Sequence, residues 1–363
     1  MTSPLLKPLA MGPIELPNRV LMAPLTRNRA HDDGVPWEKS ADYYAQRATA
    51  GMIWTEATQI DPMGKGYIQT PGIHTDEQVA GWRKINDAVH AAGGRMCIQL
   101  WHVGRISHTS VLPEGRNPVS STDVAADAQT FTSDGFTDTS KPDALTIDGI
   151  HEVIGQFERA ARLAKQAGFD AVEVHAANGY LLDQFLQDGV NQRDDAYGGS
   201  LENRLRILRE AIGAVASHWE RGRIGVRLSP LGQAHDMSDS DPEGHFAQIY
   251  SALSDEQIAF LHVVENFPGN ESDGKLAQTL RKNFSSGLYI ANGGYDQDRA
   301  EDAIENGHAD AVTFGRPFIS NPDLPERIRQ GADWAEADQD TFYGGDEAGY
   351  TDYPKLDDAA AAA

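Results

Sequence analysis

The run Ala171-Val172-Glu173-Val174-His175-Ala176-Ala177-Asn178-Gly179-Tyr180 reads as a short buried strand, Ala171–His175, that runs out into a polar turn. Working outward from it, the same kind of apolar run recurs at Val20–Ala23, Met52–Thr55, Arg95–Leu100, Ile224–Leu228, Phe260–Val264, Leu288–Ala291 and Ala311–Phe314. Helical patterns lie between most of these strands. One is Asp76–Ala92. A second is Ile147–Ala167, with Ile150, Val153, Ile154 and Phe157 at helical spacing. A third is Leu201–Trp219, opened by Ser200 as N-cap. Eight strands alternating with helices predict an α/β protein, a single (β/α)8 TIM barrel. The rival doubly wound sheet usually carries a GxGxxG turn after its first strand, and this chain has none; nor has it a P-loop, a paired CxxC or an HExxH.

The 363 residues suit one large barrel with insertions, and 40% hydrophobic residues supply a sizeable core. The barrel is expected over 1–356. A polar excursion after strand three, from about Val103 to Lys141 within an insertion of about 103–145, is expected to cap the catalytic face. A low-complexity tail, 357–363, ends in five alanines. The formal charge of −23 repels phosphate backbones and anionic lipid, so neither nucleic acid nor membrane is an expected partner. An anionic cofactor would need a local positive pocket. Cys97 is the single cysteine, which excludes an internal disulfide, and it reads as a buried, inert thiol. The N-terminus has no basic stretch before an apolar run, so cytoplasmic residence is expected. The triplets Asn270-Glu271-Ser272 and Asn283-Phe284-Ser285 read as chance matches to a glycosylation signal.

In such a barrel, chemistry collects where strands end. The exits here carry Ala23-Pro24-Leu25-Thr26, Thr55-Glu56-Ala57-Thr58, Gln99-Leu100-Trp101-His102, His175 through Tyr180, Arg227, Asn292-Gly293-Gly294 and Gly315-Arg316. Each has an ordinary structural reading, and their convergence on one mouth is what points to a site. Gly293, Gly294 and Gly315 let backbone N–H groups approach an anion, and Arg316 adds a bidentate-capable charge; the loops after strands seven and eight are the usual phosphate site of a barrel. If the chain turns helically after strand four, His175 and Asn178 share a face and can both donate to one substrate oxygen. Tyr180, a phenol protonated at neutral pH, can deliver a proton. A metal site at this turn is the alternative; without a second histidine or carboxylate at ligand spacing it ranks lower, and no metal is expected.

Several long strings in a fixed order now bear on the question: Asn18-Arg19-Val20 with Ala23 through Arg27, Thr55-Glu56-Ala57, Gly66-Tyr67, Gln99 through Arg105, His175 through Leu181, Asn191-Gln192-Arg193, Tyr197 through Arg204, and Phe314-Gly315-Arg316-Pro317. On these the chain, from about Leu5 to Pro354, resembles the Old Yellow Enzyme family of FMN-dependent ene-reductases. The resemblance implies non-covalent FMN, with Thr26 at its O4, Pro24, Leu25 and Ala57 lining the isoalloxazine, Gln99 and Arg227 on the pyrimidine edge, and Gly293, Gly294, Gly315 and Arg316 on the phosphate. It implies reduction by NADPH or NADH, then reduction of an enone, enal or nitroalkene gripped by His175 and Asn178, with hydride from flavin N5 and a proton from Tyr180. Tyr67, Trp101 and Tyr343 are the implied pocket walls. Two stretches, Gly232–Ser240 and Asn266–Gly274, follow the family pattern less closely. Homo-oligomerisation stays open. So do two other functions: a flavin-free aldolase or isomerase, for which Glu56 is the one strand-end carboxylate that stands out, and a non-catalytic flavin sensor.

Overall fold

The computed structural model describes residues 3–266 and 274–356. The triplet at 270–272, most of the stretch after strand six and the tail 357–363 lie outside the described residues. Among the described residues eight parallel strands close into a barrel: β1 (Val20–Met22), β2 (Ile53–Trp54), β3 (Met96–Trp101), β4 (Ala171–His175), β5 (Ile224–Leu228), β6 (Phe260–Val264), β7 (Leu288–Asn292) and β8 (Ala311–Phe314). Each pairs with its neighbours in sequence, and β8 returns to β1. Helices fill the connections, which is the expected TIM barrel.

The registers set the interior. Glu173 lies opposite Gln99, His175 opposite Arg227, and Arg227 opposite His262. Alternate residues of a strand share a face, so the inward side chains rise in levels. Cys97, Ala171, Phe260, Ile290 and Ala311 pack at the lowest level with Met11, Ile14 and Leu16 of an N-terminal hairpin, Leu9–Met11 against Ile14–Leu16. That hairpin, which the periodicity of the chain does not announce, plugs the N-terminal mouth. One level up the interior turns polar, with Gln99, Glu173, His262 and Thr313. The outward residues Ile98, Val172, Val174 and Val226 pack under the helices against Ile150, Phe157, Leu208 and Ile212. Burial on both faces is why these strands read as apolar runs rather than as alternation.

Helix starts follow their caps. Thr75 and Gln78 form a capping box before Asp76–Ala91, and Thr146 and Ser200 accept the N–H groups of Gly149 and Asn203. The helix after β4 stops at Ala216 rather than Trp219, because Trp219 is buried and its indole donates to the Ala161 carbonyl. Strand two is shorter than expected. It breaks after Trp54 and resumes at Thr58–Gln59 beside Leu100 and Trp101, which leaves Thr55, Glu56 and Ala57 at the mouth. After β3 the chain forms a hairpin, Gln129–Thr132 with Gly135–Asp138, and a short parallel pair, Val119–Ser120 with Asp143–Ala144. No helix of the described residues is long and apolar enough to cross a membrane.

Candidate active site

The chain leaves β4 without a helical turn. Asn178 and Gly179 both take positive φ, +59° and +75°, and the Tyr180 N–H returns to the Ala177 carbonyl at 3.3 Å. This corrects the helical expectation: Asn-Gly favours a tight turn with both central residues left-handed, and the helix begins only at Leu181. The turn is held from three sides. Ser229 Oγ accepts the Asn178 N–H at 2.7 Å, Asp183 accepts the Gly179 N–H at 2.8 Å, and Gln184 Nε2 donates to the Gly179 carbonyl at 2.7 Å. Gln184, fully buried, also donates to the Val103 carbonyl and accepts from Arg105 N–H and Ser120 Oγ, so it ties the excursion after β3 to the turn. Burial pushes the Asp183 carboxyl up to about 7, partly offset by the Gly179 N–H it accepts.

Among the described residues neither the His175 ring nor the Asn178 amide makes a hydrogen bond, and His175 Nδ1 and Asn178 Oδ1 are buried without a partner. Orphaned buried polar atoms are costly, and here two stand three residues apart at the exit of β4. Burial, then Arg227 and His262, hold the His175 imidazole well below its ordinary pKa, so it is neutral and offers a single N–H. Tyr180 stacks edge-on against Trp101, with ring centroids 5.1 Å apart, and its hydroxyl lies 3.0 Å from that of Tyr67. Burial, with Tyr67 next, raises its pKa well above 10. Ala57, Trp101, Tyr67 and Tyr180 belong to one apolar cluster. Tyr343 stays on the rim, 64% exposed, its ring against Phe342.

On the strands that flank β4, Gln99 and Arg227 are buried, and Arg227 Nη2 donates to Asn292 Oδ1 at 3.0 Å while its Nε has no partner. Asn292 precedes Gly293. A cavity of about 990 Å³ opens there, lined by Leu25, Asn292, Gly293, Gly294, Gly315 and Arg316 among others. It does not reach the β4 turn. Gly293 has φ +120°, and a Cβ there would stand 2.6 Å from the Asn266 nitrogen; Gly294 has φ +68°. The N–H groups of Gly293, Gly294, Gly315 and Arg316 make no hydrogen bond to another described residue. Backbone donors without acceptors, a cation and a Gly293 that leaves no room for a Cβ are what a phosphate needs, so the donor set fits the phosphate of FMN. Pro24, Leu25 and Thr26 lie half-buried just beyond β1. Glu56, accepting the Arg27 N–H at 3.1 Å, is pushed up to about 7 by burial against the opposing pull of that bond.

The structure thus brings His175, Asn178, Tyr180, Tyr67, Trp101 and Ala57 together, with Arg227 beside His175, and sets Gly293, Gly294, Gly315 and Arg316 opposite. Three contributors were not legible. His235, in the polar stretch after β5, packs 5.2 Å from the Tyr180 ring and its Nδ1 lies 2.7 Å from the Asn178 carbonyl. Arg105 fixes that loop through the carbonyls of His235 and Asp236. Gln184 is the third. His235 and Gln184 have no periodic or motif signal of their own, and Arg105 closes the string Gln99 through Arg105 without a stated role; only tertiary contact reveals what they do. Elsewhere, Asp188, Asp239 and His245 gather their ligand atoms within 4.8 Å. The Arg204 guanidinium already faces both carboxylates, at 3.5 and 3.8 Å.

Known proteins place the chain in a family. The model of the NADH:flavin oxidoreductase / NADH oxidase family matches residues 4–334. The 12-oxophytodienoate reductase 1 of Oryza sativa subsp. japonica is 45% identical over 362 residues, covering 98% of this chain and 94% of that protein. A structure of morphinone reductase in complex with tetrahydroNAD superposes with a TM-score of 0.93 at 47% identity, covering 98% of each chain. The old yellow enzyme homologue from Zymomonas mobilis superposes at 0.94 with 43% identity, covering 97% of this chain and 99% of that one. The chain therefore belongs to the NADH:flavin oxidoreductase / NADH oxidase family, the Old Yellow Enzyme family, and is a flavin-dependent oxidoreductase that uses FMN with NAD(P)H as reductant.

Proposed function

We propose that the protein is an ene-reductase that reduces the activated C=C bond of an α,β-unsaturated carbonyl or nitro compound. The observation that carries this reading is the pair of side chains without hydrogen-bond partners among the described residues, the buried His175 and the half-buried Asn178, beside the protonated hydroxyl of Tyr180. FMN bound at the mouth would supply hydride chemistry, with NAD(P)H as the source of the reducing equivalents and the β carbon of the activated alkene as their destination. The neutral imidazole and the amide offer two N–H donors to one substrate oxygen, which polarises the conjugated bond. Tyr180 then gives its proton to the α carbon. Tyr67, 3.0 Å away, orients that hydroxyl and offers a hydrogen bond to the tyrosinate left behind. Trp101 and Tyr67 present flat apolar faces to a planar substrate, with His235 beside Tyr180 and Tyr343 at the rim. Gln99 and Arg227 would hold the pyrimidine edge, where a cation favours the anionic reduced ring, and Thr26, Pro24, Leu25 and Ala57 would border the ring system. The similar proteins named as reductases of 12-oxophytodienoate and of morphinone support a reductase of this class.

An anaerobic absorbance titration tests the proposal. The flavin bands should bleach with NADPH or NADH and return on adding an enone or a nitroalkene. Bands that return with oxygen but with no activated alkene would refute the ene-reductase reading.

A further inference from the structure

Below the mouth, a carboxylate sits where the barrel interior could have been filled with apolar side chains. Glu173 is fully buried, two residues before His175 and on the same face of β4. Its Oε1 accepts from Gln99 Nε2 at 2.6 Å, and its Oε2 accepts from Trp54 Nε1 at 2.9 Å and from His262 Nδ1 at 2.8 Å. A carboxylate is an acceptor only, so Nδ1 carries the proton. Burial, partly offset by Glu173, holds His262 below its ordinary pKa, so the ring is neutral and its Nε2 accepts a hydrogen bond from the Thr313 hydroxyl at 2.8 Å. Three donors thus converge on one buried anion, whose charge favours the protonated guanidinium of nearby Arg227 against the desolvation that lowers its pKa. A buried charge costs far more than the apolar filling used one level below, so its presence asks for a reason beyond packing.

We propose that Glu173 is a positioning residue: it fixes the orientation of the Gln99 amide, so that Oε1 is the atom offered at the mouth, and it balances the charge of Arg227 beneath the cofactor. Gln99 Nε2 is committed to Glu173, and among the described residues Gln99 Oε1 has no hydrogen-bond partner. The pyrimidine edge of a flavin presents one donor, N3–H, between two carbonyl acceptors. An amide turned with Oε1 upward accepts from N3–H, whereas the flipped amide would set donor against donor. The inference rests on the reading that Gln99 and Arg227 meet that edge.

The test reloads stripped protein with FMN and with N3-methyl-FMN, which has no N3–H. Wild type should bind FMN about 10- to 100-fold more tightly than the analogue, the usual consequence of a lost and unsatisfied hydrogen bond. In Glu173→Gln the new amide must donate to something, and the simplest relief is a flipped Gln99. FMN should then bind about 10- to 100-fold more weakly, the discrimination against the analogue should shrink to within about threefold, and the midpoint potential of bound FMN should move positive because the anion opposing the reduced ring is gone. Trp54→Phe, which leaves the Gln99 bond in place, should keep the discrimination. Unchanged discrimination and potential in Glu173→Gln overturn the inference alone. Should that variant not fold, equal wild-type affinity for the two flavins overturns it without any substitution. A wild-type protein that binds no FMN removes the reading beneath it as well.

Discussion

The exit of β4 and the exits of β7 and β8 stand on opposite sides of one barrel mouth and are built on opposite principles. At β4 the working groups are side chains: His175 and the Asn178 amide lack partners, while the backbone that carries them is bonded to Ser229, Asp183, Gln184 and His235. At β7 and β8 the working groups are the backbone itself, four N–H groups on glycine-rich corners beside the exposed Arg316. The first region is enclosed by a second shell of buried residues; the second opens on a large cavity. The difference teaches what each can hold. A phosphate is bound by many weak dipoles that need only close approach, whereas polarising one oxygen and delivering one proton needs side chains fixed in place.

Breaking the side-chain half should have the largest effect. Tyr180→Phe removes the proton but not the ring packing on Trp101. Stopped-flow measurement should show enone reduction slowed about 10²- to 10⁴-fold, with flavin reduction by NAD(P)H little changed. Equal losses in both half-reactions would show that the hydroxyl is not the acid. Breaking the backbone half comes next. Gly293→Ala drives a Cβ to 2.6 Å from the Asn266 nitrogen at φ +120°, a conformation that costs on the order of 1–3 kcal/mol for a non-glycine residue. Flavin fluorescence during dilution should show FMN lost about 10- to 100-fold more readily, and retention equal to wild type would argue that the phosphate lies elsewhere.

The seam between the halves titrates. Glu56, beside the backbone of Arg27, has a folded value of about 7 against an ordinary 4.5. The folded protein therefore keeps a proton that the unfolded chain gives up. This contribution to stability is fully present below about 4.5 and is lost as pH rises through about 7. Glu56→Gln should gain on wild type by roughly 1–3 kcal/mol between pH ~5 and ~8, read from denaturant midpoints; a difference that is constant with pH would contradict it. The smallest effect is expected at the rim. Tyr343→Ala, 64% exposed, should change KM for an enone by no more than about threefold, as an exposed contact contributes within about 0.5 kcal/mol, and should leave FMN binding unaltered. A large rise in KM would mean that the ring closes over the substrate.

Much of this molecule is written locally. The apolar runs marked all eight barrel strands to within a few residues, because strands buried on both faces must be apolar throughout. Ser200 marked the start of its helix, because orphan N–H groups need a short side-chain acceptor, and the structure adds Thr75 and Thr146 in the same role. The exits carried their chemistry in readable strings, from Gln99 to the glycines at 293, 294 and 315. What could not be read was any relation between segments distant in sequence. The turn at Asn178-Gly179 misled a helical reading because both geometries place a polar residue near His175, and only the backbone angles separate them. The roles of His235, Arg105 and Gln184 carry no pattern, since a residue that acts through contacts distant in sequence leaves no period. Glu173 was hidden in plain view: in Ala171-Val172-Glu173-Val174-His175 it reads as one polar letter in a strand. By itself the sequence determined the barrel, its mouth and the kinds of group gathered there, since these follow from burial and local backbone preference. Only the tertiary structure decided the levels of the interior, with an apolar floor, a buried carboxylate above it and the reactive groups on top, because closure of the barrel is what sets eight separate strands in register.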